Sequence, residues 1–396
     1  MNTHSSGKQG PSGLRRKSFD AVPLLDLSRQ YRAIRDQVLA AVERVCTSQH
    51  FILGEEVAAL EHEIAAFTGA SAAVGCASGT DALWLALLAL GIQPGDAVLT
   101  TPFSFLASAS AIARAGARPV FADIDPDTLN LDANHARTKL ETSRPIQALL
   151  PVHLYGQCAD MDALQRLAEE FEIPIIEDAA QATGAAWRGR RAGSLGVAAA
   201  FSFYPTKNLS AYGDAGLVTA SNPEYAEHMR RLRSHGSAKR YYHEEFGSNS
   251  RLDAIQAAIL RVKLPHLETW NSERRARAAN YDRLFREAGL ASGKGSGPVR
   301  LLHTPPHACH VFHQYVIRAT RRDELRAFLG EQKIGTEIYY PVPLHLQECF
   351  AYLGYGEGDL PQAELAAHEV LALPMFPELT EDEQSWVVKS IAEFYS

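Results

Sequence analysis

The chain has 396 residues, of which 46% are hydrophobic and 21% are charged, enough for a large core and a second, smaller domain. Its 39 lysines and arginines against 46 acidic residues give a net charge of −7 without a long block of one sign, which argues against nucleic acid or a membrane surface as a partner. Five scattered cysteines with no CxxC pair fit a reducing cytosol, so we expect a cytoplasmic protein without structural zinc.

The order of the predicted elements indicates an α/β fold. Residues 1–20 are rich in Ser, Gly, Lys and Arg and lack the apolar core of a signal peptide, which predicts a disordered tail. The most apolar stretch, 82–90, is too short to span a bilayer and is predicted to be a buried helix. From residue 22 onward, strand-like and helix-like segments alternate, a pattern typical of βαβ units and a mainly parallel sheet. The predicted strands are 72–76, 97–101, 119–124, 148–154, 174–177, 197–204 and 217–220, and the predicted helices are 33–48, 57–67, 223–234 and those that begin at residues 80, 104 and 160.

A change of domain is predicted where this alternation stops. A helical stretch over 252–285, interrupted at Pro265, leads into a segment rich in Gly and Ser. The sequence therefore predicts a large α/β domain over 21–265 and a small C-terminal α+β domain over 266–396. In the small domain we predict a strand over 310–318 and helices over 322–331 and from residue 381.

One lysine lies where open α/β sheets place their chemistry. The apolar run 197–204 predicts a buried strand, and Lys207 lies on the turn that follows, at the carboxyl edge of the sheet. An isolated loop lysine is usually a solvated side chain. Here Ser202 and Asn208 lie in the same stretch and Asp178 ends another predicted strand, so we interpret Lys207 as a functional residue.

The stretch Ser78-Gly79-Thr80-Asp81 lies where a predicted strand ends and a helix begins. Free backbone N–H groups, a hydroxyl and the positive end of a helix would converge there on a phosphate. An ordinary helix N-cap is the alternative interpretation, and the motif alone does not decide between the two.

A carboxylate and two aromatic rings complete the pattern. Asp178 could cap a helix, but paired with a heterocyclic nitrogen it would keep that nitrogen protonated and make the ring an electron sink. Phe103 and Phe105 are by default core residues, although one of them could stack on a planar ring. Phosphate donors, a carboxylate for a ring nitrogen, an aromatic face and an amine are together what pyridoxal 5'-phosphate (PLP) requires.

From about residue 22 to its end, the chain resembles the DegT/DnrJ/EryC1/StrS family of PLP-dependent nucleotide-sugar aminotransferases. This family is a branch of the fold type I, aspartate aminotransferase-like superfamily, which has a large, mainly parallel sheet domain and a small C-terminal domain. The motifs that match occur along the chain in the same order as in members of the family. The matching stretches are 78–83 (SGTDAL), 151–156 (PVHLYG), 177–181 (EDAAQ), 201–209 (FSFYPTKNL), 247–253 (GSNSRLD) and 340–345 (YPVPLH).

The resemblance implies a role for each matching residue near the ring. Lys207 would carry the cofactor covalently, Asp178 would pair with the pyridine nitrogen, and Gln181 would face the phenolic oxygen. Phe105, rather than Phe103, would stack on the ring.

The resemblance also implies how the phosphate is bound. Gly79, Thr80 and Ser202 would contact it from the same chain, and Asn249 would reach the phosphate of the neighbouring subunit. A homodimer with shared active sites is therefore expected.

The reaction that the resemblance implies is a transamination. L-Glutamate would convert the cofactor to its pyridoxamine form and leave as 2-oxoglutarate, and a nucleotide-linked keto sugar would then take up the amino group. The residues around Lys207 are most similar to members acting at C3 of the sugar. Relatives that dehydrate the sugar have histidine at this position, so Lys207 indicates transamination. Ser210 and Ala215 stand where glycine is common, and neither change removes a catalytic group.

Other features have weaker implications. His345, Arg240 and Tyr242 are candidate contacts for the sugar nucleotide, or else ordinary surface or interface residues. The stretch 189–196 imitates a glycine-rich dinucleotide loop but precedes a strand, which favours a turn. The histidines and the cysteine within 303–313 imitate a metal cluster, but alternation along a strand would divide them over two faces, so no metal site is predicted.

Two other functional classes stay open at this point. One is a PLP protein that binds a sugar nucleotide without turnover, as a sensor or scaffold, although the intact Lys207 and Asp178 argue against it. The other is a different fold type I enzyme such as a cysteine desulfurase, for which Cys309 or Cys349 would have to be a mobile nucleophile. Neither cysteine lies in a loop rich in Gly and Ser.

Overall fold

The computed structural model describes residues 21–143, 145–239, 241–291 and 297–396. The tail predicted over residues 1–20 and the candidate Arg240 lie outside these ranges. Of the helices within them, none has the length and apolar character needed to cross a membrane.

The strands occur along the whole described chain, and the first nine belong to the region predicted as the large domain. They are β1 (Ala72–Cys76), β2 (Ala97–Thr100), β3 (Arg118–Phe121), β4 (Ile146–Leu150), β5 (Ile176–Asp178), β6 (Ala186–Trp187), β7 (Arg190–Arg191), β8 (Ala198–Ser202), β9 (Gly216–Ala220), β10 (Val299–Leu301), β11 (Ala308–Cys309), β12 (Tyr315–Ala319) and β13 (Val370–Leu373).

The central sheet has the strand order β1-β9-β8-β5-β4-β2-β3. Continuous ladders join β1 to β5 and β4 to β3, and isolated parallel bridges Leu149–Ile175 and Val152–Asp178 connect the two groups. β9 runs antiparallel to its neighbours β1 and β8, and the remaining pairs are parallel. The sheet is mainly parallel, as predicted, so the carboxyl ends of β1, β5 and β8 lie at one edge.

Helices cover both faces of this sheet. The apolar sides of α3, α4 and α7 pack on one face, and those of α2, α6 and α8 pack on the other. The apolar stretch predicted as a buried helix lies in α3, which confirms that prediction. The helices are α1 (Leu27–Ser48), α2 (Glu55–Thr68), α3 (Gly79–Ala89), α4 (Ala107–Arg114), α5 (Ala133–Thr142), α6 (Met161–Glu170), α7 (Pro223–Leu232), α8 (Ala254–Lys263), α9 (Leu267–Glu287), α10 (Arg322–Glu331), α11 (Pro361–Glu369) and α12 (Glu381–Tyr395).

The C-terminal part has its own antiparallel sheet, β10-β12-β13, covered by helices that include α9, α10 and α12. Its apolar core continues into the large sheet region, because Phe121 and Tyr155 belong to the same buried cluster as Tyr281 and Ile317. β11 also returns to pair with β6. Between α8 and α9 lies a single 3-10 turn, and the domain boundary placed there stays a prediction.

Several predicted elements were wrong at their ends. The helix predicted over 33–48 begins already at Leu27, and the strand predicted over 119–124 ends at Phe121. The strand predicted over 310–318 begins only at Tyr315, because residues 310–312 form a turn in which the Phe312 N–H donates to His310 Nδ1 at 2.9 Å and the two rings stack. The strand predicted over 148–154 ends at Leu150, and the helix predicted from residue 104 begins at Ala107. Alternating apolar residues do not distinguish such turns from a strand.

Candidate active site

The end of β1 and the first turn of α3 contact the end of β8. The Ser78 Oγ accepts a hydrogen bond from the Asp81 N–H at 3.2 Å and caps α3. A Cβ added to Gly79 would lie only 2.6 Å from the Ser202 Cβ, so glycine is required for this close approach. The N–H groups of Gly79 and Thr80 have no acceptor in the described part of the chain, as is usual in a first helical turn. The capping and phosphate-binding interpretations are therefore compatible, since the cap leaves two donors for an anion.

Strand β5 places Asp178 at the same edge of the sheet. Its side chain is buried, with Oδ2 accepting from the Ser108 Oγ at 2.7 Å and Oδ1 accepting from the Ala180 N–H at 3.1 Å. Burial raises the pKa of Asp178 above its ordinary value, and the Ser108 hydroxyl, the Ala180 N–H and the Lys207 charge act in the opposite direction. Ser108 is a contact that the sequence did not reveal, because it comes from α4, 70 residues before Asp178.

Lys207 lies on the turn after β8, half-buried and close enough to Asp178 for each group to shift the pKa of the other. Burial lowers the pKa of Lys207 to about 8, and the Asp178 carboxylate partly opposes this shift. Within the four described ranges its Nζ makes no hydrogen bond to the protein. The amine is therefore partly unprotonated near neutral pH and available to a ligand.

The residue after the lysine is tied to two other parts of the chain. Asn208 Nδ2 donates to Asn271 Oδ1 at 2.8 Å and to the Val311 carbonyl at 3.1 Å, and its Oδ1 lies 3.2 Å from His313 Nδ1. These contacts fix the turn from α9 and from the segment before β12. The sequence singled out Asn208 but did not show these partners.

Gln181 and Phe105 flank the same region. Gln181 Nε2 donates to the Tyr340 hydroxyl at 3.0 Å, and its Oε1 accepts from the Tyr155 N–H at 2.6 Å. Phe105 is 59% exposed, with its ring 6.3 Å from that of Tyr340, whereas Phe103 is fully buried. An exposed ring is free to stack on a ligand, and a core ring is not.

Three other candidates make contacts of their own on this chain. Asn249 is exposed and its backbone bridges to Ser234. Tyr242 is exposed, with the Lys239 ammonium 4.7 Å from its ring centroid. His345 is buried, and its Nε2 lies 3.0 Å from Glu364 Oε1. None of these contacts involves Lys207 or Asp178, so the sites assigned to these residues stay predictions.

The two stretches that imitate a metal cluster and a dinucleotide-binding loop, residues 303–313 and 189–196, have structural roles. Within the described ranges, no three His, Cys, Asp or Glu side chains are grouped as they would be to hold a metal ion. His307 packs edge-on against Trp187, and His313 contacts Asn208. In the glycine-rich stretch, Gly189 lies in the turn between β6 and β7 with φ 78°, residues 190–191 form β7, and residues 192–196 form turns and bends before β8.

Comparison with known proteins decides the family. The model of the DegT/DnrJ/EryC1/StrS aminotransferase family matches residues 32–392. The chain belongs to this family.

Relatives in the DegT/DnrJ/EryC1/StrS family match along nearly their whole length. A pleiotropic regulatory protein of Geobacillus stearothermophilus is 52% identical over 377 residues, which are 94% of this chain and 98% of the relative. A dTDP-3-amino-3,4,6-trideoxy-α-D-glucose transaminase of Streptomyces venezuelae is 46% identical over 374 residues, 94% of this chain and 96% of the relative.

Solved structures give the same result. The crystal structure of DesV of S. venezuelae, in complex with a ketimine intermediate, superimposes with a TM-score of 0.90 at 44% identity. The match covers 94% of this chain and 98% of the DesV chain. NtdA of Bacillus subtilis, with bound cofactor PMP, superimposes with a TM-score of 0.87 at 27% identity. The match covers 96% of this chain and 87% of the NtdA chain.

Membership of the DegT/DnrJ/EryC1/StrS family confirms the predicted fold, cofactor and enzyme class. The protein is a PLP-dependent aminotransferase of the nucleotide-sugar class. This assignment replaces the cysteine desulfurase alternative. Cys349 lies on the surface, and Cys309 is half-buried with its Sγ 3.7 Å from Arg275 Nη1.

A methyl group at Gly79 tests the phosphate site. In Gly79→Ala the new Cβ would push Ser202 away, and overpacking of this kind costs about 1 to 3 kcal/mol. We expect the dissociation constant for PLP, measured by fluorescence titration of the cofactor-free protein, to rise about tenfold or more. Gly330→Ala is the matched control, because Gly330 has open space around its Cα. Equal PLP affinity in both variants would contradict the predicted cradle.

The lowered pKa of Lys207 makes the stability of the cofactor-free protein depend on pH. The unfolded chain keeps this proton up to about pH 10.5, whereas the folded chain releases it near pH 8. Between these values the unfolded state binds more protons, so the free energy of unfolding should rise with pH. Lys207→Met should reduce the slope of this rise in urea unfolding measured from pH 8 to 10. An unchanged slope would show that the amine is not buried in this way.

Proposed function

We propose that this protein transfers an amino group from L-glutamate to a nucleotide-linked keto sugar, at C3 of the hexose, to give the amino sugar. The observation that carries the proposal is the amine of Lys207, with a pKa near 8, beside the buried Asp178 carboxylate and two free N–H donors at the start of α3. The name of the S. venezuelae relative, a transaminase for a 3-amino sugar, supports the C3 position.

Bound PLP would supply a conjugated ring that withdraws electrons from the carbon carrying the amino group. Asp178 would hold a proton on the ring nitrogen, and the Ser108 hydroxyl and Ala180 N–H keep this carboxylate in one orientation. Lys207 would attach the cofactor and, when free, would take the proton from the α-carbon of glutamate. A pKa near 8 suits both tasks, because the unprotonated amine is accessible near neutral pH.

The remaining residues around the ring would orient it. Gln181 would donate to the phenolic oxygen with the amide that now contacts Tyr340, and Phe105 would cover one face. Gly79, Thr80 and Ser202 would bind the phosphate, where the N–H groups at the start of α3 point out of the helix.

The active enzyme is proposed to be a cytoplasmic homodimer. Asn249 would reach the phosphate in the partner subunit, which agrees with its exposure on a backbone segment held to Ser234. Tyr242, Arg240 and His345 are proposed contacts of the sugar nucleotide.

Removal of the amine tests the chemistry. Lys207→Ala should abolish 2-oxoglutarate release from glutamate and the visible absorption of the lysine-bound cofactor, since no other described amine lies beside Asp178. Lys389→Ala, which changes an exposed lysine on α12, is the control and should behave like the unchanged protein. Residual transamination by Lys207→Ala would refute the assignment of the catalytic lysine.

A panel of keto-sugar nucleotides identifies the acceptor. The protein is first converted with glutamate to the pyridoxamine form, and each nucleotide is then added while the absorption spectrum is followed. A 3-keto hexose nucleotide should restore the visible band faster than a 4-keto isomer. Faster recovery with the 4-keto compound would move the reaction to C4 and leave the roles of Lys207 and Asp178 unchanged.

Mixed dimers test the shared site. Lys207→Ala and Asn249→Asp should each be poorly active alone, the second because a carboxylate repels the cofactor phosphate. A dimer with one chain of each kind has one intact site, so a statistical mixture should recover about a quarter of the original activity. Activity no higher than the mean of the separate variants would show that Asn249 serves its own subunit or none.

A regulatory role is a second candidate, because the 52% identical relative is named a pleiotropic regulatory protein. A protein that only bound the sugar nucleotide would not need a lysine with a lowered pKa beside the ring-nitrogen carboxylate. Release of 2-oxoglutarate that depends on glutamate and PLP distinguishes the two functions. Sugar-nucleotide binding without such release would favour the regulatory role.

A further inference from the structure

Helix α8 presents a second buried lysine to the loop that follows Lys207. Lys263, the last residue of α8, is only 2% exposed. Its Nζ donates to the Ser210 carbonyl at 2.8 Å and lies 2.9 Å from the Ser210 Oγ. The Tyr212 ring lies on another side, with its centroid 4.4 Å from the Nζ. The ammonium is thus directed at two positions three and five residues after Lys207.

This charge has no acidic partner. No carboxylate of the described residues lies within 4.0 Å of the Lys263 Nζ. Burial alone lowers the pKa of Lys263, to about 7. The neighbouring charges of α8 and α2 are paired among themselves, since Arg261 contacts Glu56 and Glu63. A buried cation without a counterion is destabilising, and an apolar side chain of the same shape would remove this cost.

Besides Lys263, the loop between Ser210 and Gly213 is held by the buried Ala211 side chain, by an edge contact between the Tyr212 and Tyr31 rings and by two hydrogen bonds. The Ala211 N–H donates to the Phe203 carbonyl at 2.8 Å, and the Tyr212 N–H donates to Gln256 Oε1 at 2.8 Å. Gln256 and Lys263 are seven residues apart on α8, so they project from one side of the helix. Lys263 is the group that binds the Ser210 carbonyl, which would otherwise have no partner in the described chain.

We infer that Lys263 is a positioning residue for transamination, which holds the loop after Lys207 through Ser210 and Tyr212 and so aims the Lys207 amine at the cofactor. The inference rests on the proposed function, because it concerns the same amine. The Lys263 charge strengthens two hydrogen bonds and the contact with the Tyr212 ring, and a neutral side chain cannot replace all three.

The test compares Lys263→Met with Lys263→Gln and the exposed control Lys389→Met, all as full-length protein loaded with PLP. Methionine matches the length of lysine without donors, and glutamine restores one donor without charge. In Lys263→Met we expect kcat to fall about tenfold or more with KM for the amino acceptor nearly unchanged, because misplaced reacting groups lower the rate of chemistry. The pH midpoint of the visible absorption should shift. The melting temperature of the cofactor-free protein should change little, because removal of the buried cation and loss of the donor to the Ser210 carbonyl act in opposite directions. Lys263→Gln should recover part of the rate.

Several results would overturn the inference. One is an unchanged kcat and absorption midpoint in Lys263→Met, which would make Lys263 a packing residue. Another is a decrease in kcat that parallels a decrease in melting temperature in every variant. If Lys263→Met does not fold, Tyr212→Leu provides the second test, since Tyr212 is partly exposed and its removal should also shift the absorption midpoint. The pH midpoint of the visible absorption is measured without a sugar substrate, so this test stays valid even if the proposed acceptor is wrong. Absence of PLP binding in the unchanged protein would instead refute the proposed function.

Discussion

The structure depends on keeping the half-buried Lys207 amine next to the buried Asp178 carboxylate. Burial disfavours the charge on both, since it lowers the pKa of Lys207 and raises that of Asp178, while their mutual attraction opposes each shift. PLP would relieve both costs. On the proposed assignment, a protonated ring nitrogen would give Asp178 a cationic partner, and covalent attachment would give the Lys207 nitrogen a partner inside the site. The fold would then hold two groups that are more stable with the cofactor than without it.

Such a pair requires a rigid support. Glu177, the residue before Asp178, is fully buried and accepts N–H groups from Gly193, Leu195 and Gly196 at 2.8 to 3.0 Å. Its Oε2 also lies 2.9 Å from His153 Nε2. Four donors around one carboxylate anchor β5 to the loop before β8 and to the end of β4. Because neighbouring residues of a strand face opposite sides, this anchor lies behind the sheet while Asp178 faces the site.

The sequence predicted the parts of the site that come from local patterns. Strands β1, β5 and β8 are short apolar runs followed by polar residues, and their shared carboxyl edge followed from the alternation of strands and helices. Phe105 was distinguished from Phe103 only by resemblance to the family, and the structure adds that one ring is exposed and the other is buried. The segment before β12 was predicted wrongly as a strand, because the bond from the Phe312 N–H to His310 has no signature in hydrophobic periodicity.

The sequence by itself determined the fold class, the family and the amine and carboxylate on which the chemistry is proposed to depend, because these are encoded in contiguous motifs. Only the tertiary structure decided which distant groups act on them. Ser108 reaches Asp178 from α4, Asn271 and His313 hold Asn208, and Lys263 reaches Ser210 from the end of α8. The physical reason is that a hydrogen bond and the loss of water around a charge depend on distance in space. Residues 53 to 105 positions apart are brought within 3.2 Å only when the helices pack on the sheet.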